Sequence, residues 1–519
     1  MSIDLSLDRV RELVVHLQAY TRPTLHIAGT NGKGTVSALL TSILLSANPP
    51  LCVGRFNSPH LVSVYDCITI DDVPVSSSLY DAVRAEVEDA DKKHQTRLSN
   101  FEILTLVALQ IFEKTQMDVV VLEVGMGGRL DATNVVPDEV ILVSALTAVD
   151  LDHQAFLGDT VTKIAQEKAG IGRRGRPFVL GKQRHSEVKA AVQGVLSCLG
   201  PGMLVDAVQV RTREWIENID GVRPPAFSLA SPFQPPAAQP ISANLPCFTE
   251  TLHALLPLHG THQLDNLGTS LAVINELLSS PTLQGSLDSL RLKERINIKS
   301  VAKGIQNVRW PGRLSFHTLN PTSVFVGEPS TDSLVVLVDG AHNAASAATL
   351  GEYITHLLGL AIASSYTSWP ITIHMTFVIA LSHSPPKTPR EILSPFLPLK
   401  LPNHLIPNCN VKTRIILLPF TPPDGMPWVK PVPPEDMEVI VRDLVPEAEL
   451  LIEVDLGSTG DQNSALESAF KWISQRRHED VCGVPGKMAE LVVLAGSLYL
   501  VADFYRILQL GRFRIQNPE

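Results

Sequence analysis

The sequence predicts an α/β fold in two domains, each built on a mainly parallel sheet, and three features carry that reading. Met117–Val124 (MDVVVLEV) and Val140–Leu146 (VILVSAL) are continuous apolar runs, the pattern of strands covered on both faces. Leu104–Phe112 and Val161–Lys168 read as helices, so strand and helix alternate along the chain. Leu25–Ala28 is a short apolar run that stops at a glycine-rich loop, Gly29-Thr30-Asn31-Gly32-Lys33-Gly34-Thr35, and Val36–Leu45 then reads as a helix.

Taken in order, residues 1 to about 20 look helical, with Val10, Leu13, Val14 and Leu17 on one face. The strand–loop–helix unit comes next and makes a phosphate cradle: loop N–H groups point at an anion, and the helix N-terminus adds partial positive charge. Lys33 can neutralise phosphate oxygens and Thr35 can offer its hydroxyl to Mg²⁺, which points to ATP. The spacing is more compact than G-x-x-x-x-G-K-[ST], and a plain glycine turn is the competing reading. Ser228–Pro246 and Ser382–Pro407 are proline-rich and read as surface insertions. Helical character ends near Trp310-Pro311-Gly312-Arg313, which predicts domains of 1–309 and 310–519. In the second, Leu334–Val338, Ile371–Ala380, Thr413–Leu418 and Leu491–Leu494 read as strands of a smaller, Rossmann-like α/β domain.

With 519 residues the chain is too long for one core. No apolar run approaches the ~20 residues of a membrane span, and Met1–Asp8 lacks the character of a signal or transit peptide. Six cysteines without C-x-x-C argue for reduced thiols rather than disulfides or zinc. A net charge of −10 gives nucleic-acid binding no support, and the Arg173-Arg174-Gly175-Arg176 cluster is too short to alter that. The expectation is a cytoplasmic monomer, a minor mitochondrial pool left open, with small molecules as its partners.

Further segments carry unusual polar residues. Phe56-Asn57-Ser58-Pro59-His60-Leu61 follows the first helix, and Glu123-Val124-Gly125-Met126-Gly127-Gly128-Arg129-Leu130-Asp131-Ala132-Thr133-Asn134 follows an apolar strand. A carboxylate at a strand end suits a metal ligand beside a nucleotide. Taken alone, Glu123 reads equally well as a solvated loop acid, His153 in Leu151-Asp152-His153 as structural, and Lys168 in Gln166–Gly170 as a surface lysine near a helix end.

Together the blocks resemble the folate branch of the Mur ligase superfamily, the dihydrofolate synthases and folylpolyglutamate synthases. The resemblance runs from about residue 5 to about 507 and rests on the glycine loop, SPHL, EVGMGGRLDATN, LDH with EKAG, and Asp339-Gly340-Ala341-His342-Asn343, in that order. It implies Ser58, Glu123 and His153 as ligands of two Mg²⁺ ions, with Lys168 carbamylated into an anionic metal partner. It implies that Asn266, Arg313 and Asp339 contact ATP from across a domain cleft. Ser99, Asn100, Phe101 and Glu102, with Leu130, Asp131 and Ala132, are similar to a pterin-lining stretch, and His342, Ser497 and Tyr499 to the region receiving glutamate. Lys33, Lys168 and His342 are the catalytic candidates.

The implied chemistry is activation of a carboxylate by the ATP γ-phosphoryl group, then attack by the amine of L-glutamate on the acyl phosphate. Within the branch, folylpolyglutamate synthases carry a basic R-E-R-I-type segment after SPHL, whereas this chain has Val64-Tyr65-Asp66-Cys67-Ile68-Thr69-Ile70. A substrate already bearing glutamate brings extra carboxylates and favours cations nearby. Asp424-Gly425-Met426-Pro427-Trp428, LDHQAFLG and AGSLYL also resemble fungal members that add the first glutamate. The expected substrates are 7,8-dihydropteroate, L-glutamate and ATP, with lengthening of reduced folates as the alternative. A nucleotide switch would not need DGAHN, and an inactive binding module should have lost Lys33, Glu123, His153 or Lys168.

Overall fold

The computed structural model describes residues 6–200, 204–230, 232–283, 285, 288–320, 333–364, 371–399, 409–423, 426, 428–452, 462–483, 488–511 and 514–515. The chain divides into two compact units, Met1–Val222 with Gln239–Arg309, and Arg223–Ala238 with Trp310–Glu519.

In the first unit the described residues form an eight-stranded sheet of β1 (Thr24–Ala28), β2 (Val53–Phe56), β3 (Ile68–Ile70), β4 (Val73–Pro74), β5 (Val119–Glu123), β6 (Ile141–Leu146), β7 (Phe178–Leu180) and β8 (Leu204–Asp206). The order is β4-β3-β2-β5-β1-β6-β7-β8, parallel from β2 to β8 with β3 and β4 antiparallel at one edge. Every residue of β1, β5 and β6 is buried, which is why β5 and β6 lack polar alternation; in β1 the buried polar side chains Thr24 and His26 find partners in Tyr20 (2.8 Å) and Thr133 (2.9 Å). Register sets Ile27 beside both Glu123 and Ala145, so the carboxyl ends of the three central strands lie level. Ligand sites in open α/β sheets form at such ends. The helix Lys33–Leu45 follows β1 and buries Val36, Leu39, Leu40, Ile43 and Leu44.

The first described helix, Asp8–Val14, is shorter than the run to residue 20 expected from periodicity. Beyond it, long-range side-chain bonds replace the helical ladder: Gln110 Nε2 donates to the Gln18 carbonyl (2.8 Å) and Thr21 N–H donates to Glu113 (2.7 Å).

Reading 228–246 as a surface insertion is corrected by the structure. It contains β10 (Gln239–Ala243), paired antiparallel between β9 (Val210–Thr212) and β11 (Leu252–Leu256). Phe227 and Leu229 are buried in the core of the second unit, where Phe227 lies 6.4 Å from Phe316 between ring centroids. The apolar residues set among the prolines supply the burial that composition alone concealed.

The second unit holds a seven-stranded sheet among its described residues: β12 (Ser315–Asn320), β13 (Leu334–Val338), β14 (Ile371–Ile379), β15 (Cys409–Leu417), β16 (Glu449–Ile452), β17 (Met488–Ala495) and β18 (Arg514–Ile515). Their order is β16-β15-β14-β17-β13-β12-β18, parallel except for the β12 and β18 edge. The segment 382–407 is likewise more than an insertion. Helix Pro389–Leu393 starts with proline in its first turn and a Thr388–Glu391 capping box, and Ile392, Leu393, Phe396 and Leu397 are buried. Residues 400–407, and Asp424, Gly425 and Pro427 of the DGMPW block, lie outside the described residues. Among the described residues no helix is long and apolar enough to cross a membrane.

Burial lowers the pKa of His26 on β1 to about 3 and of His317 on β12 to about 4. Both folded values lie below the ordinary 6.5, so on acidification the unfolded chain takes up protons first. Stability should therefore fall from pH 6.5 downward, by roughly 1.4 kcal/mol per pH unit for each histidine while only the unfolded chain is protonated. Buried Asp131 and Asp339, whose pKa values are raised by desolvation, contribute with the opposite sign. Urea midpoints at pH 7 and pH 5 check this. A His26→Asn variant should show a smaller difference between the two; an undiminished difference would exclude His26 as a source.

Candidate active site

The glycine loop bends because two of its residues occupy backbone regions suited to glycine. Gly29 has φ 151° and Gly32 has φ 94°. A Cβ on Gly29 would stand 1.8 Å from Thr147 Oγ1, and one on Gly32 would stand 2.2 Å from Asn266 Oδ1. The loop is fastened to the end of β6: Thr30 and Asn31 N–H donate to the Ala148 carbonyl (2.9 and 3.2 Å), and Thr147 Oγ1 donates to the Asn31 carbonyl (2.7 Å). Gln183 fixes that segment in turn, accepting from Val149 N–H (2.9 Å) and donating to the Thr147 carbonyl (3.0 Å). The first helical bond runs from Val36 N–H to the Gly32 carbonyl (2.9 Å), so the Lys33, Gly34 and Thr35 amides precede the ladder at the helix's positive end.

Two lysines converge on one carbonyl. Lys33 Nζ and Lys168 Nζ each donate to Gly29 O at 3.1 Å. Lys33 also lies 3.9 Å from Glu123 Oε1, while Asn57 Nδ2 donates to Glu123 Oε2. Lys168 is 3% exposed, and it is no surface lysine. Burial, helped by the charge of Lys33, pulls its pKa down to about 7 against the raising influence of Asp152 and Asp131. The helix Val161–Ala169 that carries it is tied to the loop after β5: Arg129 N–H donates to the Glu167 carbonyl (2.9 Å), and its guanidinium pairs with the Glu167 carboxylate (2.9 Å). Gly128 is needed there, since a Cβ would stand 2.8 Å from the Lys168 carbonyl.

The remaining candidates of this unit are placed as follows. Ser58 follows Asn57 at the end of β2 and is partly buried. His153 occupies the N-cap position of the short helix Gln154–Leu157 without a side-chain capping bond, its side chain 47% exposed and Nε2 4.0 Å from Asp152. Among the described residues no three His, Cys, Asp or Glu side chains gather tightly enough to hold a metal by themselves. Ser99 and Glu102 form the capping box of helix Asn100–Lys114, and Phe101 fills the space over Gly125, where a Cβ would meet it at 2.2 Å. Asp131 accepts from Met126 N–H (2.8 Å) and from Thr133 N–H and Oγ1 (3.0 and 2.6 Å), which shapes the Leu130–Ala132 turn. Asn266 is not on the far side of a cleft: it belongs to the same unit as Lys33, on helix His262–Ser279, with its side chain against Gly32. Asn57, Thr147 and Gln183 were not singled out from sequence; each acts through contacts distant along the chain.

The second unit has its own polar loop at the ends of β13 and β17. Asp339 is buried and accepts from Leu314 N–H (2.9 Å) and Ala341 N–H (2.8 Å). Burial raises its pKa while Arg313 opposes the rise. Arg313 Nη1 donates to the Gly312 carbonyl (2.9 Å) and lies where a Cβ on Gly340 would stand, 2.4 Å away. His342 is exposed, its Nδ1 paired with the Gly340 carbonyl at 2.9 Å. Ser497 caps helix Leu498–Gln509, and the Tyr499 ring lies 5.1 Å from that of Phe420.

A lysine-bearing glycine loop at the carboxyl edge of a parallel sheet, a buried carboxylate one strand away and a second, buried lysine define a P-loop nucleotide-binding α/β protein. The chain is 31% identical over 513 residues to the dihydrofolate synthetase of Saccharomyces cerevisiae, covering 98% of each. It is 28% identical over 517 residues to the "Probable dihydrofolate synthetase" of Schizosaccharomyces pombe, covering 98% of this chain and 100% of that one. The family model for the dihydrofolate synthetase C-terminal domain matches residues 326–507. The fold is shared with the Mycobacterium tuberculosis folylpolyglutamate synthase complexed with ADP and AMPPCP, at TM-score 0.67 and 22% identity over 97% of this chain and 95% of that one. The chain belongs to the dihydrofolate synthase/folylpolyglutamate synthase family, the folate branch of the Mur ligases.

Proposed function

We propose that this chain joins L-glutamate to 7,8-dihydropteroate at the expense of ATP, giving 7,8-dihydrofolate, ADP and phosphate. It is an ATP-dependent ligase. The observation that carries the reading is the Lys33–Glu123–Lys168 cluster around Gly29, in a chain that matches a dihydrofolate synthetase from end to end.

A carboxylate oxygen of dihydropteroate attacks the γ-phosphorus and ADP leaves. The glutamate nitrogen then attacks the acyl carbon, sheds a proton, and phosphate leaves as the amide forms. Both steps depend on positioning and on charge placed in advance. We assign the Gly29–Thr35 amides and Lys33 to the ATP phosphates, and Asn266, whose side chain lies against Gly32, together with Arg313 and Asp339 to further nucleotide contacts. The Ser58 hydroxyl and the Glu123 carboxylate are oxygen donors that suit Mg²⁺, the His153 imidazole is assigned to the ion by family resemblance, and Glu123 already draws the Lys33 ammonium to 3.9 Å. Mg²⁺, when bound, neutralises phosphate oxygens during transfer. A count of two ions and a carbamylated Lys168 are parts of this proposal. Ser99–Glu102 and Leu130–Ala132 are assigned to the pterin, and His342, Ser497 and Tyr499 to glutamate.

The choice of acid rests on Asp66. Its carboxylate accepts from Val62 N–H (2.8 Å) and Ser63 N–H (2.9 Å), directly after Ser58-Pro59-His60-Leu61. An anion there disfavours a substrate that brings extra carboxylates. Purified protein with ATP, Mg²⁺ and L-glutamate should convert dihydropteroate at least about tenfold faster than tetrahydrofolate monoglutamate, a ratio worth ~1.4 kcal/mol. Faster use of the folate would reassign the chain to tail lengthening.

A further inference from the structure

The turn that carries Arg313 is held in an unfavourable backbone shape. Gly312 has φ 72° and Leu314 has φ 48°. The second is costly, because a left-handed conformation at leucine brings its Cβ close to the following carbonyl. Such strain persists only where neighbouring groups over-determine it, and it clusters at functional sites. Here the groups can be named. Leu314 N–H is taken by Asp339 (2.9 Å), and the Gly312 carbonyl accepts from Gly340 N–H (2.9 Å) and from Arg313 itself (2.9 Å). Gly312 N–H donates to two oxygens, Ser315 Oγ (3.0 Å) and the Tyr505 hydroxyl (3.1 Å).

Tyr505 lies on helix Leu498–Gln509, far along the chain from the turn it touches. Its hydroxyl also meets Ser315 Oγ (3.1 Å) and His317 Nε2 (2.9 Å). The His317 ring stands edge-on to it at 5.3 Å. Burial keeps His317 neutral, so Nε2 can accept the phenolic proton while the phenol oxygen accepts from Gly312. Each atom of the phenol hydroxyl is then committed, and the turn is tied to the helix whose N-terminus carries Ser497 and Tyr499.

We propose that Tyr505 is a positioning residue for ATP use: its hydroxyl, aimed by His317 and Ser315, holds the strained Gly312–Leu314 turn so that Arg313 lies over Gly340 beside Asp339. The inference rests on the assignment of Arg313 and Asp339 to the nucleotide. It explains why a tyrosine, rather than the phenylalanine that would serve packing alone, stands on this face of the helix.

The test is Tyr505→Phe, which keeps the ring against Phe504 and His317 and removes only the hydroxyl. The KM for ATP should rise about tenfold, the value of one hydrogen bond of this kind at its upper range. The KM for dihydropteroate and the melting temperature should stay near those of the parent. Arg313→Ala and the double variant are measured alongside. If Tyr505 acts through Arg313, removing the hydroxyl adds little once the guanidinium is gone. Independent, multiplying effects would overturn the inference, as would an unchanged KM for ATP in Tyr505→Phe while Arg313→Ala raises it. An Arg313→Ala variant with normal ATP use would instead refute the nucleotide assignment and leave Tyr505 nothing to position. Should Tyr505→Phe fold poorly, Ser315→Ala removes the other acceptor of Gly312 N–H. It must show the same ATP-selective rise, or the inference fails.

Discussion

Replacing Lys33 by alanine should cut the rate of ligation about a thousandfold, the upper range for loss of one preorganised charge at a developing anion. The ammonium lies at the N-terminal end of helix Lys33–Leu45, 3.1 Å from the Gly29 carbonyl and 3.9 Å from Glu123. Both partners are anionic or carry partial negative charge, so the lysine is parked beside groups that ATP phosphates would outcompete. Its loss removes charge needed most when the γ-phosphoryl group is in flight. The variant should fold normally. The loop's shape comes from Gly29, Gly32 and the bonds to Ala148 and Thr147, none of which involves the lysine side chain. Steady-state rates with dihydropteroate and circular dichroism of the same sample decide the matter. Near-normal turnover in a folded variant would mean that this loop does not hold the phosphates.

Much of this architecture was legible in advance where a single physical cause dominates. Val119–Glu123 and Ile141–Leu146 are buried along their whole length, and runs apolar at every position but Glu123 and Ser144 supply that. The glycine loop was legible because its torsions and close contacts exclude side chains at Gly29 and Gly32. What stayed hidden depends on contacts between distant segments. Lys168, taken alone, looked like a surface residue at a helix end. It is buried because its amine reaches Gly29, 139 residues earlier in the chain, a pairing that local periodicity does not encode. Asn57 and Tyr505 escape a sequence reading for the same reason: their partners lie far along the chain, Glu123 for Asn57 and Gly312, Ser315 and His317 for Tyr505. The segment Ser228–Pro246 errs in the other direction: its prolines suggest a surface insertion, whereas Leu229, with Phe227 just before it, is buried in the second unit and Gln239–Ala243 forms a paired strand.

Lys168→Ala should lose about a hundredfold in activity, the upper end of the range found when a group supporting a metal site is removed. In the structure the amine is 3% exposed and shares the Gly29 carbonyl with Lys33. Desolvation by burial, with repulsion from the Lys33 ammonium on the same carbonyl added to it, brings the pKa down to about 7, so a substantial share of the amine is unprotonated at neutral pH. An unprotonated amine is the form that adds CO₂: the ammonium first gives up one proton, the nitrogen lone pair then bonds to carbon and a second proton leaves, so that over both steps the side chain changes from cation to anion. That change would turn repulsion from Lys33 into attraction, and would place an anionic oxygen pair beside the Lys33 ammonium. Alanine leaves a small buried space lined at one end by the Gly29 carbonyl and the Lys33 ammonium. Acetate is the right size and charge to occupy it, so added acetate should restore part of the activity of Lys168→Ala and none of that of Lys168→Met, whose side chain fills the space. Full activity of the parent enzyme in CO₂-free buffer, together with no response of Lys168→Ala to acetate, would show that the lysine serves as an amine and that the carbamate does not form.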